Sequence, residues 1–282
     1  TIRLSLVDKV NRLTYNGQVT NGHRNKLGTF NVLFDGLLQE HGTSFGLRYF
    51  DELGQRSVRL GAKAEMVADG IRFQLIPERP TLGYKDFALN ADNFLLLHDD
   101  LRLEANVDLQ ADDGTRIIVY SENQDSTLLQ DLTISVSRLD LGELTGGVAM
   151  LPNISGTLGG DYHLTMDRQR NISVASDMQV SQMAYEGSPI GNLGAELVYL
   201  QREDDTHAIV GTLLSDNEEI GAVNGEYRSQ GNGTLDATVD LMHTPLRILN
   251  GFFYGSHKGN SVEGCIRLLL CQFPFLHKGV EA

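Results

Sequence analysis

His98-Asp99-Asp100 sets an imidazole beside two carboxylates, the residue types that hold a divalent metal or move a proton. The cluster falls between the apolar run Phe94 to Leu97 and an alternating run that opens at Leu101, so it reads as a solvated turn. The eight histidines, at 23, 41, 98, 163, 207, 243, 257 and 277, are scattered, and none belongs to a His-Glu-x-x-His helix motif. Asp112-Asp113-Gly114 lacks the remaining ligands of a calcium loop and reads as a turn between strands. Gly156-Thr-Leu-Gly159-Gly160 opens no helix, which makes it a bend or bulge and not a dinucleotide fingerprint. Neither a Gly-x-Ser-x-Gly elbow nor a phosphate-binding loop occurs. Cys265 and Cys271 are the two cysteines, too few for a disulfide framework or a zinc site. The expectation is a protein that is not an enzyme, with no catalytic residue, no metal and no cofactor.

What repeats along the chain is a pattern. Residues 101 to 109 alternate apolar and polar without a break, and a period of two sends successive side chains to opposite faces of a strand. Leu101, Leu103, Ala105, Val107 and Leu109 then share one face; Arg102, Glu104, Asn106 and Asp108 share the other. The same alternation places Leu132, Ile134 and Val136 together, then Leu193, Ala195 and Leu197, then Leu235, Ala237, Val239 and Leu241. It also runs through Phe45-Gly-Leu-Arg-Tyr49 and Val58 to Ala64. Two-faced strands over so long a chain describe an all-β protein, a large antiparallel sheet with one apolar face.

Turn chemistry agrees. Asn16-Gly17, Asn21-Gly22, Asp69-Gly70, Asp113-Gly114, Asn224-Gly225 and Gly231-Asn232-Gly233 supply the positive φ of tight hairpins. Pro77, Pro80, Pro152 and Pro189 sit in turn-like settings. Helical signals are weak. Thr244 to Phe252 begins as a capped helix would, with Pro245 after Thr244, and Phe94 to Leu97 fits either a short helix or a buried strand.

The net charge of -14, from 37 acidic and 23 basic residues, repels phosphate backbones, so nucleic acid is not an expected partner. No apolar run approaches the ~20 residues of a membrane-spanning helix. After about residue 253 the alternation stops, and both cysteines and the run Ile266-Arg-Leu-Leu-Leu270 follow. We expect a β-rich segment over 1–252, with a sub-boundary near 120–130, and an atypical tail over 253–282 that is truncated or frameshifted. The first residues already read as strand, and the chain is expected to be a piece of a longer protein.

Asp131 to Leu144, Leu151 to Leu164 and Gly225 to Gly251 resemble the repetitive β-segments of the TamB family. Within the last of these, Pro245, Leu246, Leu249, Asn250, Gly251 and Phe252 are similar to a helical insert of that family. The resemblance covers residues 40 to 252, is strongest with Bacteroidetes-type members, and rests on style of sequence and not on catalytic motifs. It implies an elongated, curled antiparallel sheet (a β-taco) with an open hydrophobic groove. It further implies phospholipid acyl chains as cargo between inner and outer membranes, or assistance to outer-membrane protein assembly. A BamA-type outer-membrane partner of the TamA/TamL kind and a periplasmic location are implied as well, with an inner-membrane anchor in a segment missing from this chain. The groove-lining candidates are the four apolar stripes named above. The alternative is a closed β domain, structural or adhesive, that binds through its loops.

Overall fold

The structure, a computed structural model, describes residues 2–21, 29–40, 42–122, 127–146, 151–202, 206–228 and 233–242, and the backbone of 266–270. It is all-β, with eighteen strands and one short helix among these residues, and the strand pairings described below are antiparallel. Two compact units divide the chain: one holds residues 1–122, 132–159 and 185–187, the other 123–131, 160–184 and 188–282.

In the first unit, β1 (Ile2–Lys9), β2 (Arg12–Thr20), β3 (Asn31–Gln39), β4 (Gly42–Phe50), β5 (Arg56–Val67) and β6 (Gly70–Leu82) pair in chain order as a meander. Two short strands, β7 (Lys85–Leu89) and β8 (Phe94–His98), share the next place. Each pairs with β6 on one side and with β9 (Leu103–Ala111) on the other. β10 (Arg116–Ser121) and β11 (Leu128–Asp140) extend the order from β9. The helix α1 (Leu141–Gly146) follows; Asp140 caps it by accepting the Glu143 N–H at 3.0 Å, the Asp-x-x-Glu signature of a helix start. β12 (Ile154–Asp167) comes next.

The second unit holds β13 (Ile172–Tyr185), β14 (Ser188–Gln201), β15 (Thr206–Ser215), β16 (Glu218–Arg228) and β17 (Thr234–Leu241), and β14 to β17 pair in chain order. Residues Ile266–Leu270 form β18, antiparallel to β17 with Leu241 opposite Ile266. The apolar run of the tail, which breaks the alternation, therefore has a sheet to join. Its pairing uses the backbone, which any sequence without proline offers. The rest of the tail and the Thr244 to Phe252 helix lie outside the described residues.

Two of the expected turns are not turns. Asn16-Gly17 lies inside β2 and Asn224-Gly225 inside β16. The β15–β16 hairpin closes instead on Asp216 and Asn217, both at positive φ (53° and 66°), as polar short side chains tolerate. Asp69-Gly70 and Asp113-Gly114 do turn the chain, between β5 and β6 and between β9 and β10. Pro77 and Pro80 sit in β6, where the register with β5 slips between Arg59 and Gly61 and no ladder donor is missed. Phe94 to Leu97 is strand.

Candidate functional site

The registers decide which side chains share a face. Leu6, Tyr15, Gly36, Phe45, Ala62 and Leu75 form one row across β1 to β6. Leu4, Gly17, Phe34, Leu47 and Leu60 form the next, and Ile2, Val19, Val32, Tyr49, Val58 and Leu82 the next again. The same face continues through Phe73, opposite Leu95, then Ala105, opposite Leu95 in turn. It reaches Leu109 and Val107, then Ile117 and Val119, then Val136, Ile134 and Leu132. The opposite face carries Arg3, Gln18, Asn16, Asp35, Arg48 and Arg59, the wet half of the alternation.

This apolar face has two different characters within the first unit. Around β9 it is sealed. Phe87, Val107, Leu109 and Ala111 form a buried cluster, flanked by Leu75, Leu82, Leu89, Leu95, Ile117 and Val119. Val107 is 3% exposed, and Leu132 and Ala105 are buried with it. Over β1 to β5 the face is only partly covered: no side chain on it is fully buried, those of β2 to β5 are mostly half-buried, Phe45 is 46% exposed, and Leu4 and Leu6 on β1 reach 69% and 67%. Two glycines shape this stretch. Phe34 lies across Gly17, directly opposite it, and Tyr15 lies across Gly36, where a methyl group on either glycine would run into the ring.

Of the groove candidates in the first unit, Leu103, Ala105, Val107, Leu109, Leu132, Ile134 and Val136 occupy the sealed part or its margin. Leu101 does not belong with them. The strand begins at Leu103, and Leu101 is a turn residue at φ 70°, 72% exposed, its N–H donated to the His98 carbonyl. Alternation in sequence ran two residues past the strand because a turn can carry the same polarity rhythm. The wall over β1 to β5 was legible only in part, through the alternation from Phe45 to Tyr49 and from Val58 to Ala64.

In the second unit the candidates fall on one face. Ala195, Leu197 and Tyr199 align across β15 and β16 with Leu241, Val239 and Ala237, Leu193 stands opposite Ser215, and Leu235 stands opposite Tyr227. Ala195 and Leu241 are buried and the others half-buried. At one end of this face Tyr199, His207 and Tyr227 stack in sequence, with ring centroids 5.9 Å and 5.7 Å apart, and the Tyr199 hydroxyl lies 2.6 Å from His207 Nδ1.

The polar groups that looked reactive are structural. His98 is not solvated as expected; it is 7% exposed, with Nδ1 3.1 Å from Asp69 and Nε2 3.0 Å from Glu104, although the Glu104 oxygen is not aligned for a hydrogen bond. The two nitrogens thus address separate carboxylates and pin the β5–β6 turn to the start of β9. Asp99 is exposed, and Asp100 pairs with Arg102 at 2.8 Å.

Lys85 closes a second clasp, 2.6 Å from both Asp113 and Glu143. Burial works to lower the Lys85 pKa, but the hydrogen bonds of the two carboxylates outweigh it and the net shift is upward. The Lys85 hydrogen bond, aided by the Thr115 N–H, holds Asp113 far below the usual carboxylate range. A raised lysine stabilises fully below its unfolded value of about 10.4, and that stability is lost as pH rises through the folded value. A depressed aspartate stabilises above its unfolded value of about 3.9, and loses this as pH falls through the folded one. Lys85→Met is therefore expected to cost about 1–2 kcal/mol at pH 7, given the half-exposed carboxylates. In urea melts the gap from wild type should narrow below about pH 4; a gap unchanged at pH 2 would show that packing of the lysine stem, not charge, carries the effect. Nearby, burial and then the hydrogen bond to Asp51 (2.8 Å) push the Tyr84 hydroxyl up to about 12.

No protein-family model, curated protein or solved structure matches this chain.

Proposed function

We propose that this chain is an acyl-chain-binding segment of a TamB-like envelope protein, in which the apolar sheet face carries phospholipid between inner and outer membranes. The observation that supports the reading most is the register-continuous apolar face over β1 to β5, none of whose side chains is fully buried. Contiguous exposed apolar surface of this kind is rare without an occupant. A lipid chain laid on it leaves water at about 25 cal/mol per Å², or ~0.8 kcal/mol per methylene. Such binding needs stripes in register and no particular side chain, which accords with the structural roles of His98 and Lys85. A BamA-type partner and a periplasmic location belong to the same proposal through the sequence resemblance.

The alternative, a closed β domain acting through its loops, draws on the sealed cluster around Phe87 and Val107. Residues of one strand, β4, on opposite faces separate the two. A photo-crosslinker at Leu47 is expected to capture phospholipid from cell-envelope extracts, whereas one at Ser44 is not. Equal capture at both positions, or none at Leu47, would favour the closed domain.

A further inference from the structure

We infer that the polar face of the first unit holds a binding site for a phosphate ester anion, centred on Arg48 and Arg59. It goes beyond the acyl-binding reading, because it lies on the opposite face of the same strands. Arg48 and Arg59 stand directly opposite each other in the β4–β5 ladder, and the same register row continues to Arg3 through Gln18 and Leu33. Like charges directly opposite on one sheet face repel, and the Asp35 carboxylate answers only Arg48 of this pair. The next row sets Gly46 opposite Gly61, where the Asp35 carboxylate and the Ile76 side chain come close beside the guanidiniums. Together with Arg56, Asp35, Ile76 and Pro77 these residues line a cavity of about 530 Å³, a volume suited to a small ligand.

The inventory of partners leaves donor capacity over. Arg48 pairs with Asp35 at 2.8 Å, and Arg56 reaches Asp86 at 3.5 Å through Nη2. Arg56 Nε is buried and donates to no partner among the described residues. Arg59 has no ion pair or hydrogen bond among the described residues. Three guanidiniums, of Arg48, Arg56 and Arg59, against the two carboxylates of Asp35 and Asp86 leave one positive charge over in a chain of net charge -14. The planar fork of arginine matches the oxygens of a phosphate two at a time, which a point charge does not. A soluble phosphate ester and a phospholipid headgroup offer the same chemistry.

Two probes tell these sources apart on the full chain: calorimetric titration with glycerol 3-phosphate, and flotation with phosphatidylglycerol against phosphatidylcholine vesicles. Arg59→Gln removes a side chain without a partner, so its circular dichroism is expected to match wild type. The variant should lose about tenfold in affinity for glycerol 3-phosphate, the effect of one charge-assisted hydrogen bond, and Arg59→Lys should recover only part of it. Loss confined to phosphatidylglycerol flotation would assign the site to a headgroup. Arg228→Gln, in the second unit, should change neither measurement. If Arg59→Gln alters neither probe, or Arg228→Gln weakens both equally, the site does not exist as described. Neither result bears on lipid capture at Leu47, which tests the other face.

Discussion

Val107→Glu is expected to abolish the cooperative thermal transition of the first unit. Val107 is almost without solvent contact inside the cluster of Phe87, Leu109 and Ala111. A carboxylate there would sit among Leu75, Leu82, Leu89, Leu95, Ile117 and Val119, which pack around the cluster. Burying a polar group without a hydrogen bond costs roughly 2–7 kcal/mol, an ionised one more, and the lost packing adds to it. That sum competes with the whole stability of an ordinary domain, about 5–15 kcal/mol. Phe87→Ala, which only leaves a hole, should cost about 3–5 kcal/mol and still fold. A Val107→Glu protein with a melting curve like wild type would mean that this stripe faces an open channel.

The same substitution on the wall over β1 to β5 should do the reverse. Phe45→Glu places its carboxylate where nearly half of the native side chain already meets water, so melting temperature should move little. Its effect falls on the occupant, since an ionised group in the middle of the row from Leu6 to Leu75 cannot be covered by an acyl chain. Binding of a fluorescent fatty acid is expected to drop more than about tenfold, the loss of roughly two methylene contacts. Unchanged uptake with an unchanged fold would remove the β1 to β5 wall from the acyl-binding reading.

The contrast between Val107 and Phe45 marks the limit of what alternation reveals. A period of two is a local property of extended backbone, so the face shared by Leu193, Ala195 and Leu197, and that shared by Leu235, Ala237, Val239 and Leu241, was legible residue by residue. Whether a face is covered depends on strands distant in sequence. Ala105-Asn-Val-Asp-Leu109 and Phe45-Gly-Leu-Arg-Tyr49 follow one grammar, yet only the first meets Phe87 and Leu82. Burial of His98 escaped notice for the same reason, because Asp69 approaches it from a turn 29 residues earlier. Asn16-Gly17 misled in another way. Its glycine serves a neighbouring ring and not a bend in the chain, and nothing nearby in sequence distinguishes the two uses.

Those flattened rings have a bearing on texture. Because Phe34 covers Gly17 and Tyr15 covers Gly36, the wall there is tiled with aromatic planes lying low, and not studded with upright aliphatic branches. A tiled surface has no notches of methylene size, so a hydrocarbon on it has no preferred index along the strand direction. Neighbouring placements then differ little in free energy, and the steps between them are low. Gly17→Ala would stand the Phe34 ring up and cut a ridge across the path. A bound chain would become better localised and slower to shift, a change of friction with little change of affinity.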